Sequence, residues 1–122
     1  MLHKTNEGIG CGFRHGDVYL KNNILYIFYS NIGDSPESIL FTTINLTENW
    51  KKWKVEKSTK ILEPVLKWEG FDLPLTKSVM GASSERSREL RDPCVFEDND
   101  KKLYLLYCGA GESGIGIVEL KF

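Results

Sequence analysis

The sequence predicts an all-β fold built from two antiparallel meander sheets that repeat one after the other. Three observations predict this fold. Helical periodicity is scarce, short β-branched and aromatic runs recur between turn-forming residues, and the order of these runs returns in the second half of the chain. With 41% hydrophobic residues among 122, the chain has enough apolar side chains to build a core.

The first half of the chain predicts four strands joined by hairpins. A strand that begins with the alternating "DVYLK" is followed by the continuous apolar run "ILYIFYS", which is typical of a strand covered on both faces. Turn compositions, Asn22-Asn23 and "IGDSPE", separate the strands. The predicted strands are 17–21, 24–30, 38–46 and 53–58.

The same order returns after about 77 residues, which is longer than the period of common propeller repeats. "FRHGDVYL" (13–20) aligns with "LRDPCVFE" (90–97), and "LYIFYS" aligns with "LYLLYC". The segment between the two units has few apolar positions, so we predict a long loop. Long ordered loops are more often functional than connective. The prediction is a complete sheet over 14–59, a loop over 60–90 and an incomplete sheet over 91–122.

Two such sheets belong to a radially repeating all-β fold and do not close a ring. An isolated pair would expose apolar surface, because each sheet of this kind is covered on both faces. We therefore expect either further sheets upstream in a longer protein or assembly of several copies into a homo-oligomer.

Charge and motifs exclude several function classes. The formal charge of −1 does not favour nucleic acid or an anionic membrane, and no run reaches membrane-spanning length, so we expect a soluble, cytoplasmic protein. "GAGESG" (109–114) fits a dinucleotide fingerprint, but a strand follows it instead of a helix, so we interpret it as a hairpin turn. "DND" (98–100) lacks the glycine and distal glutamate of a calcium loop. We predict no metal and no cofactor, and we expect Cys94 and Cys108 to be buried free thiols.

Three stretches resemble one family. The strand start "RDPCVF", the hairpin "EDNDKK" and the following "LYLLYCGAGESGIGIVEL" resemble the blade unit of the five-bladed β-propeller glycosidases, the arabinanase, xylosidase and invertase superfamily. "NLTENWKKW" resembles the link between their blades, although Glu48 or Asn49 replaces the usual aspartate. "KWEGFDLP" (67–74) is similar to the Glu-Gly strand mouth that carries the general acid in some of these enzymes.

The resemblance implies that the first strand of each blade is innermost and that its leading residues line a central funnel. Arg91, Asp92 and the aligned Arg14 and His15 would lie there. In this family the aspartate of the Arg-Asp-Pro motif orients substrate hydroxyls, so Asp92 is predicted as a positioning carboxylate. The alternative is a local ion pair in which Arg91 and Asp92 hold each other at the strand start.

Glu69 is the candidate general acid that the resemblance implies. If the neighbouring rings of Trp68 and Phe71 desolvate it, its pKa should rise as an acid requires. The alternative is an ordinary surface glutamate beside a packing tryptophan. Trp68 is a candidate for stacking on a sugar ring.

The remaining candidates each have two interpretations. His15 lines the funnel or hydrogen-bonds a neighbouring loop. Arg14 and Arg91 clamp a polyhydroxyl or anionic ligand, or they pair with acidic residues such as Glu89, Asp92 and Asp17.

The family's enzymes carry another catalytic aspartate on the first blade, and no matching strand start precedes Arg14. We therefore keep two hypotheses: part of a glycoside hydrolase, which needs two carboxyl groups across the scissile bond, or a non-catalytic carbohydrate-binding or self-assembling half-propeller.

Overall fold

The structure of the chain, a computed structural model, describes residues 12–122, and Cys11 lies outside that range. The fold is all-β, with seven strands in two antiparallel sheets of four and three strands. The first sheet has the order β1-β2-β3-β4 and the second has the order β5-β6-β7. The strands are β1 Phe13–Lys21, β2 Ile24–Asn31, β3 Ile39–Asn45, β4 Thr59–Leu62, β5 Leu90–Glu97, β6 Leu103–Gly109 and β7 Gly114–Leu120.

Both sheets are meanders of successive hairpins. The tightest turn joins β1 to β2, where Asn22 and Asn23 have φ angles of 52° and 61° between the paired residues Lys21 and Ile24. Asparagine tolerates this left-handed conformation, which two-residue hairpin turns require. The predicted turn is therefore confirmed, and it fixes the register of the first hairpin.

Of the four strands predicted in the first half of the chain, three are confirmed, although β1 begins four residues before its predicted start, and the fourth was placed wrongly. The alternating segment 53–58 makes a single bridge, from Val55 to Ile44. The fourth strand instead pairs through Thr59–Leu62, which lies mostly inside the predicted loop. Leu62 packs against the core, and this burial selects β4 over the more regularly alternating segment before it.

The core lies between the two sheets. Five buried side chains form its centre, and β5 packs across β1 and β2. Backbone and side-chain hydrogen bonds also join the sheets: the amide of Leu90 donates to the carbonyl of Glu37 (2.9 Å), and the amide of Val95 donates to Oδ2 of Asp17 (2.7 Å). The central side chains are Phe28, Ile39, Leu90, Leu105 and Tyr107.

The faces that point away from this core are also apolar. On the first sheet Val18 and Leu20 are 53% and 59% exposed, and on the second Phe96, Ile115 and Ile117 are more than half exposed. Strand alternation places these side chains opposite the ones that fill the core. Each sheet thus has two apolar faces, and exposed apolar faces of this kind are typical of interaction surfaces.

Two further findings concern the expectations above. Cys94 is exposed, so the prediction that it is a buried thiol is wrong, because its side of the second sheet is uncovered in this chain. Within residues 12–122 no helix is long and apolar enough to cross a lipid bilayer.

Candidate functional site

The first strands of the two sheets carry matching irregularities near their starts. The register of β1 against β2 shifts between Phe13 and Gly16, and the register of β5 against β6 shifts between Arg91 and Cys94. A bulge of this kind bends its strand and redirects a side chain, and bulges are common next to functional sites. The candidate site is the end of the molecule where these two bulges lie side by side.

His15 and Asp92 meet across the two bulges. Nδ1 of His15 lies 3.0 Å from Oδ1 of Asp92, so an imidazole N–H donates to the carboxylate. The His15 side chain is 82% exposed and the Asp92 side chain 26%. In the neutral ring this arrangement leaves Nε2 as an acceptor for a ligand. The structure thus brings two of the predicted site residues together at an open surface.

Asp92 also has an unusual backbone. Its φ of +51° lies in the left-handed region, which costs a residue with a Cβ atom about 1–2 kcal/mol. Such conformations persist where the surrounding structure holds them, and they cluster at functional sites. The strain therefore supports a functional interpretation of Asp92.

A buried carboxylate supports this surface from behind. Glu37 is fully buried, and it accepts hydrogen bonds from Nε (2.7 Å) and Nη2 (3.0 Å) of Arg14 and from the hydroxyl of Ser30 (2.7 Å). Nε of Arg91 lies 3.8 Å from the same carboxylate. The hydrogen bond to Glu37 is the main reason that the pKa of Arg14 is raised. Arg14 and Arg91, which occupy aligned positions of the repeat, therefore converge on a single glutamate.

Arg91 pairs with acidic residues other than its neighbour Asp92. Its Nε donates to Oε2 of Glu89 at 2.8 Å, its Nη2 makes a second, shorter contact with the same oxygen, and its Nη1 lies 3.8 Å from Glu112. The predicted Arg91–Asp92 pair is wrong, because the left-handed backbone at Asp92 turns that carboxylate towards His15. The predicted pair with Glu89 is confirmed.

The remaining guanidinium donors are bound to a loop. Arg14 donates to the carbonyls of Val79 (2.7 Å) and Gly81 (3.2 Å), and Arg91 donates to the same carbonyl of Gly81 (3.2 Å). Both arginine side chains are at least nine-tenths buried. Through these contacts the two arginines support the site from within the protein. Direct ligand contact by Arg14 and Arg91 stays a prediction.

A surface depression of about 410 Å³ opens beside His15. Phe13, Ile32 and Met80 give it an apolar wall, while His15 and Glu112 contribute polar groups. This size falls in the range of small-molecule sites, which combine apolar walls with a few polar groups. The depression can therefore accommodate one ring of a polar ligand.

Glu69 lies away from this depression. It is 2% exposed, its carboxylate accepts a hydrogen bond from the amide of Leu66 (3.1 Å), and its carbonyl accepts one from the amide of Ala110 (3.1 Å). The pKa of Tyr107 is raised, mainly by burial of its side chain and next by the carboxylate of Glu69. The interpretation of Glu69 as a surface residue is thus wrong, because its carboxylate caps the short 3₁₀ turn Lys67–Glu69 from inside. Its role as general acid stays a prediction.

Trp68 packs on the second sheet. Its ring stacks on Tyr107 with centroids 6.0 Å apart, and it covers Gly109, Gly114 and Gly116, where a Cβ atom would meet the indole. The side chain keeps 40% of its surface exposed. Stacking of Trp68 on a sugar ring stays a prediction.

The sequence pointed to Glu89 as a partner of the arginines but not to Glu37, Glu112 or Gly81. Glu37 and Glu89 share one local signal, since each stands one or two residues before an apolar strand start, in "ESIL" and "ELRD". Among residues 12–122 no three or more histidine, cysteine, aspartate or glutamate side chains are placed to hold a metal ion.

Comparison with known proteins gives one relative. The chain is 40% identical over 112 residues to an uncharacterized protein of Acanthamoeba polyphaga mimivirus. The match covers 91% of this chain and 31% of the relative, so the chain spans about a third of the length of the curated protein that it matches. No protein-family profile matches the chain. No solved structure matches it either.

Proposed function

We propose that this chain forms two neighbouring blades of a five-bladed β-propeller whose central funnel binds a carbohydrate. The first support is the contact between aligned strands. His15 and Asp92 are 77 residues apart, and the contacts Asp17–Val95 and Tyr19–Glu97 (2.6 Å) each join residues 78 apart. Equivalent strands of successive units thus lie side by side, as sheets arranged around an axis require.

The second support for a propeller is what would surround these two sheets. Both outer faces are apolar, so each suits a further sheet. The relative has about 360 residues, since 112 residues are 31% of it, and at a spacing of 77 it would hold between four and five units. We propose that blades of a longer protein, or other copies of this chain, complete the ring.

The contact between His15 and Asp92 is the observation that carries the carbohydrate proposal. A carboxylate accepts hydrogen bonds from sugar hydroxyls, and the imidazole accepts or donates one at its free nitrogen. His15 is exposed and Asp92 is partly exposed, while their strands are fixed by the buried Arg14, Glu37 and Arg91. A rigid polar pair beside an apolar wall suits the hydroxyl edge and the ring face of a saccharide.

A saccharide site of this kind could serve hydrolysis or binding without bond cleavage. One observation favours binding without bond cleavage. Hydrolysis would use Asp92 as the positioning carboxylate and Glu69 as the general acid, and a general acid must reach the glycosidic oxygen. Glu69 is 2% exposed, and its carboxylate already accepts from a backbone amide. We therefore propose saccharide binding as the function of this chain, with hydrolysis as the extension that depends on Glu69 and on carboxylates from further blades.

The test is a binding and hydrolysis screen of the chain against arabino-, xylo- and fructo-oligosaccharides. NMR shift changes should appear at the starts of β1 and β5, and Asp92→Asn should weaken binding about tenfold or more, as loss of a charged hydrogen bond does. Glu63→Gln, at an exposed surface pair with Lys60, is the matched control and should bind like the parent.

Release of reducing ends separates the two candidates. Turnover that disappears in both Asp92→Asn and Glu69→Gln supports the hydrolase, and binding without turnover supports the binding module. If no saccharide shifts the resonances of His15 and Asp92, the carbohydrate proposal is refuted.

A further inference from the structure

The hairpin turn between β6 and β7 carries Glu112 to the depression beside His15. Two consecutive residues of this turn, Ala110 and Gly111, have left-handed φ angles of 50° and 74°. The turn is fixed to the segment before β5, because the amide of Gly111 donates to the carbonyl of Glu89 (3.1 Å). Glu112 follows at once and lines the depression together with His15. The turn therefore presents a carboxylate to the same open space as the imidazole.

The two carboxylate oxygens of Glu112 have different partners. Oε2 accepts a hydrogen bond from the amide of Ser83 (3.2 Å), which holds the side chain in place. Oε1 lies 3.8 Å from Nη1 of Arg91, beyond hydrogen-bond distance, and it accepts no hydrogen bond from any group within residues 12–122. The side chain is 36% exposed. Oε1 is therefore available to accept a hydrogen bond from a ligand hydroxyl.

The arginines beside the depression offer little positive charge to a ligand. Arg14 makes a two-point pair with the buried Glu37. Arg91 contacts Glu89 through two of its nitrogens. The two arginine side chains are 7% and 3% exposed. Of the charged residues that line the depression, Arg14 is thus buried and paired, while Glu112 is open to the ligand.

Asp92 adds to the negative charge at this end of the molecule. Arg91 lies opposite Cys108 of β6, so the thiol of Cys108 is influenced by the charges around it. The pKa of Cys108 is raised, mainly by burial and next by Asp92 and Glu112, and Arg91 lowers it by less than either carboxylate raises it. The two carboxylates therefore outweigh the nearby arginine.

We propose that Glu112 binds a saccharide hydroxyl in this depression and makes the site selective for uncharged over acidic sugars. This inference rests on the proposed saccharide binding. A carboxylate accepts a charge-assisted hydrogen bond from a hydroxyl, which is stronger than a neutral one. The same carboxylate repels a uronic acid or a sugar phosphate, and repulsion of this kind is one way in which a binding site rejects a close analogue.

Neutral and acidic probes test the selectivity. The neutral probes are the arabino-, xylo- and fructo-oligosaccharides of the first screen, and the acidic probes are trigalacturonic acid and xylotriose with a glucuronic acid branch. Binding to the full chain is measured by NMR titration at about pH 8, where free imidazole is neutral. The best neutral probe should bind at least tenfold more tightly than either acidic probe. This preference should shrink between about 10 mM and about 500 mM salt, because salt screens the repulsion.

Glu112→Gln separates a ligand contact from a structural role. Glutamine keeps an oxygen that can accept from the amide of Ser83, but it has no charge. We expect neutral probes to bind about tenfold more weakly, as loss of a hydrogen bond to a charged group gives. Acidic probes should bind no more weakly than to the parent chain. A merely structural role would weaken the binding of both classes equally.

Two further variants serve as controls. Glu85→Gln makes the same charge change at an exposed residue outside the lining of the depression, and it should change neither affinity. Glu112→Asp keeps the charge and shortens the side chain by one methylene group. It should weaken binding of the neutral probes and still reject the acidic ones, so it tests the charge even if Glu112→Gln does not fold.

Either of two results would overturn the proposal. The first is a parent chain that binds acidic probes as tightly as neutral ones, and the second is a Glu112→Gln variant with the neutral affinity and the preference of the parent. Saccharides still bind in both cases, so the carbohydrate proposal would stand without the role of Glu112. If no probe of either class binds, the carbohydrate proposal fails and this inference fails with it.

Discussion

Replacing Glu37 by glutamine should destabilise the chain far more than any surface charge change. The substitution keeps the shape of the side chain but removes the charge that faces Arg14 and Arg91. Breaking a buried ion pair by changing one partner typically costs about 3–5 kcal/mol. Glutamine keeps one oxygen that can accept from Arg14 or Ser30, so we expect the lower end, about 3 kcal/mol of the free energy of unfolding.

Urea unfolding followed by tryptophan fluorescence measures this loss. With a slope of about 2 kcal/mol/M for a chain of this size, the midpoint should fall by roughly 1.5 M. Glu63→Gln provides the control, because Glu63 and Lys60 are both about half exposed and such surface pairs contribute about 0–1 kcal/mol.

A specific result would refute this reasoning. If the midpoint of Glu37→Gln falls no further than that of Glu63→Gln, the charge of Glu37 does not hold the two sheets together. The double variant Arg14→Met with Glu37→Gln checks the mechanism, since removing both partners should cost less than the sum of the single changes.

Three further predictions test other parts of the structure. Asp92→Gly should leave stability unchanged or raise it by up to about 1 kcal/mol, because glycine adopts the φ of +51° without strain. Asp92→Val should destabilise the chain, and equal unfolding midpoints for these two variants would contradict the strain at Asp92. Gly116→Ala should cost about 1–3 kcal/mol, because its methyl group would lie 2.5 Å from Cζ of Tyr107, and Trp68→Ala in the same chain should not rescue it fully. The hydrogen bond from the Tyr19 hydroxyl lowers the pKa of Glu97. The stability that this hydrogen bond contributes is therefore present above the ordinary glutamate pKa and is lost as the pH falls through the lowered value. Tyr19→Phe should raise the pKa of Glu97 in an NMR titration of its carboxyl group, and an unchanged titration would exclude the hydrogen bond.

The strands that the sequence predicted well are those whose local pattern and burial agree. "ILYIFYS" and "LYLLYC" form central strands, and Asn22-Asn23 forms the turn that its composition indicates. The fourth strand failed because its position depends on a tertiary contact. The segment 53–58 alternates, yet Leu62 packs on the core, so the pairing forms there instead.

The candidate site was predictable in its position but not in its contacts. His15 and Asp92 followed from the alignment of two strand starts, and the structure brings them to 3.0 Å. Glu37 lies in a turn composition, and its burial is determined by Arg14 and Arg91, which are 23 and 54 residues away along the chain. No local pattern records such a contact, because side-chain pairing across two sheets depends on how they pack.

The predicted pair of Arg91 and Asp92 is wrong for a related physical reason. Arg91 and Asp92 have opposite charges and are adjacent, which predicts a local pair. Adjacent side chains of a strand point to opposite faces, and the left-handed backbone at Asp92 adds a further turn. Arg91 therefore points into the protein and Asp92 towards His15.

The shared glutamate has a consequence for how such a chain can be shortened, extended or recombined. In repeat proteins each unit contacts only its neighbours, so such a chain is usually divided at its linkers. Here a carboxylate from the first unit pairs with Arg14 and lies 3.8 Å from Arg91 of the second unit, and the backbone carbonyl of the same glutamate accepts a hydrogen bond from the first amide of β5. Cutting between the units would remove the contact between Glu37 and Arg91 and would leave the Glu37 carbonyl and the Leu90 amide without each other as partners. The pair of sheets, not the single sheet, is therefore the smallest piece that can be transplanted intact.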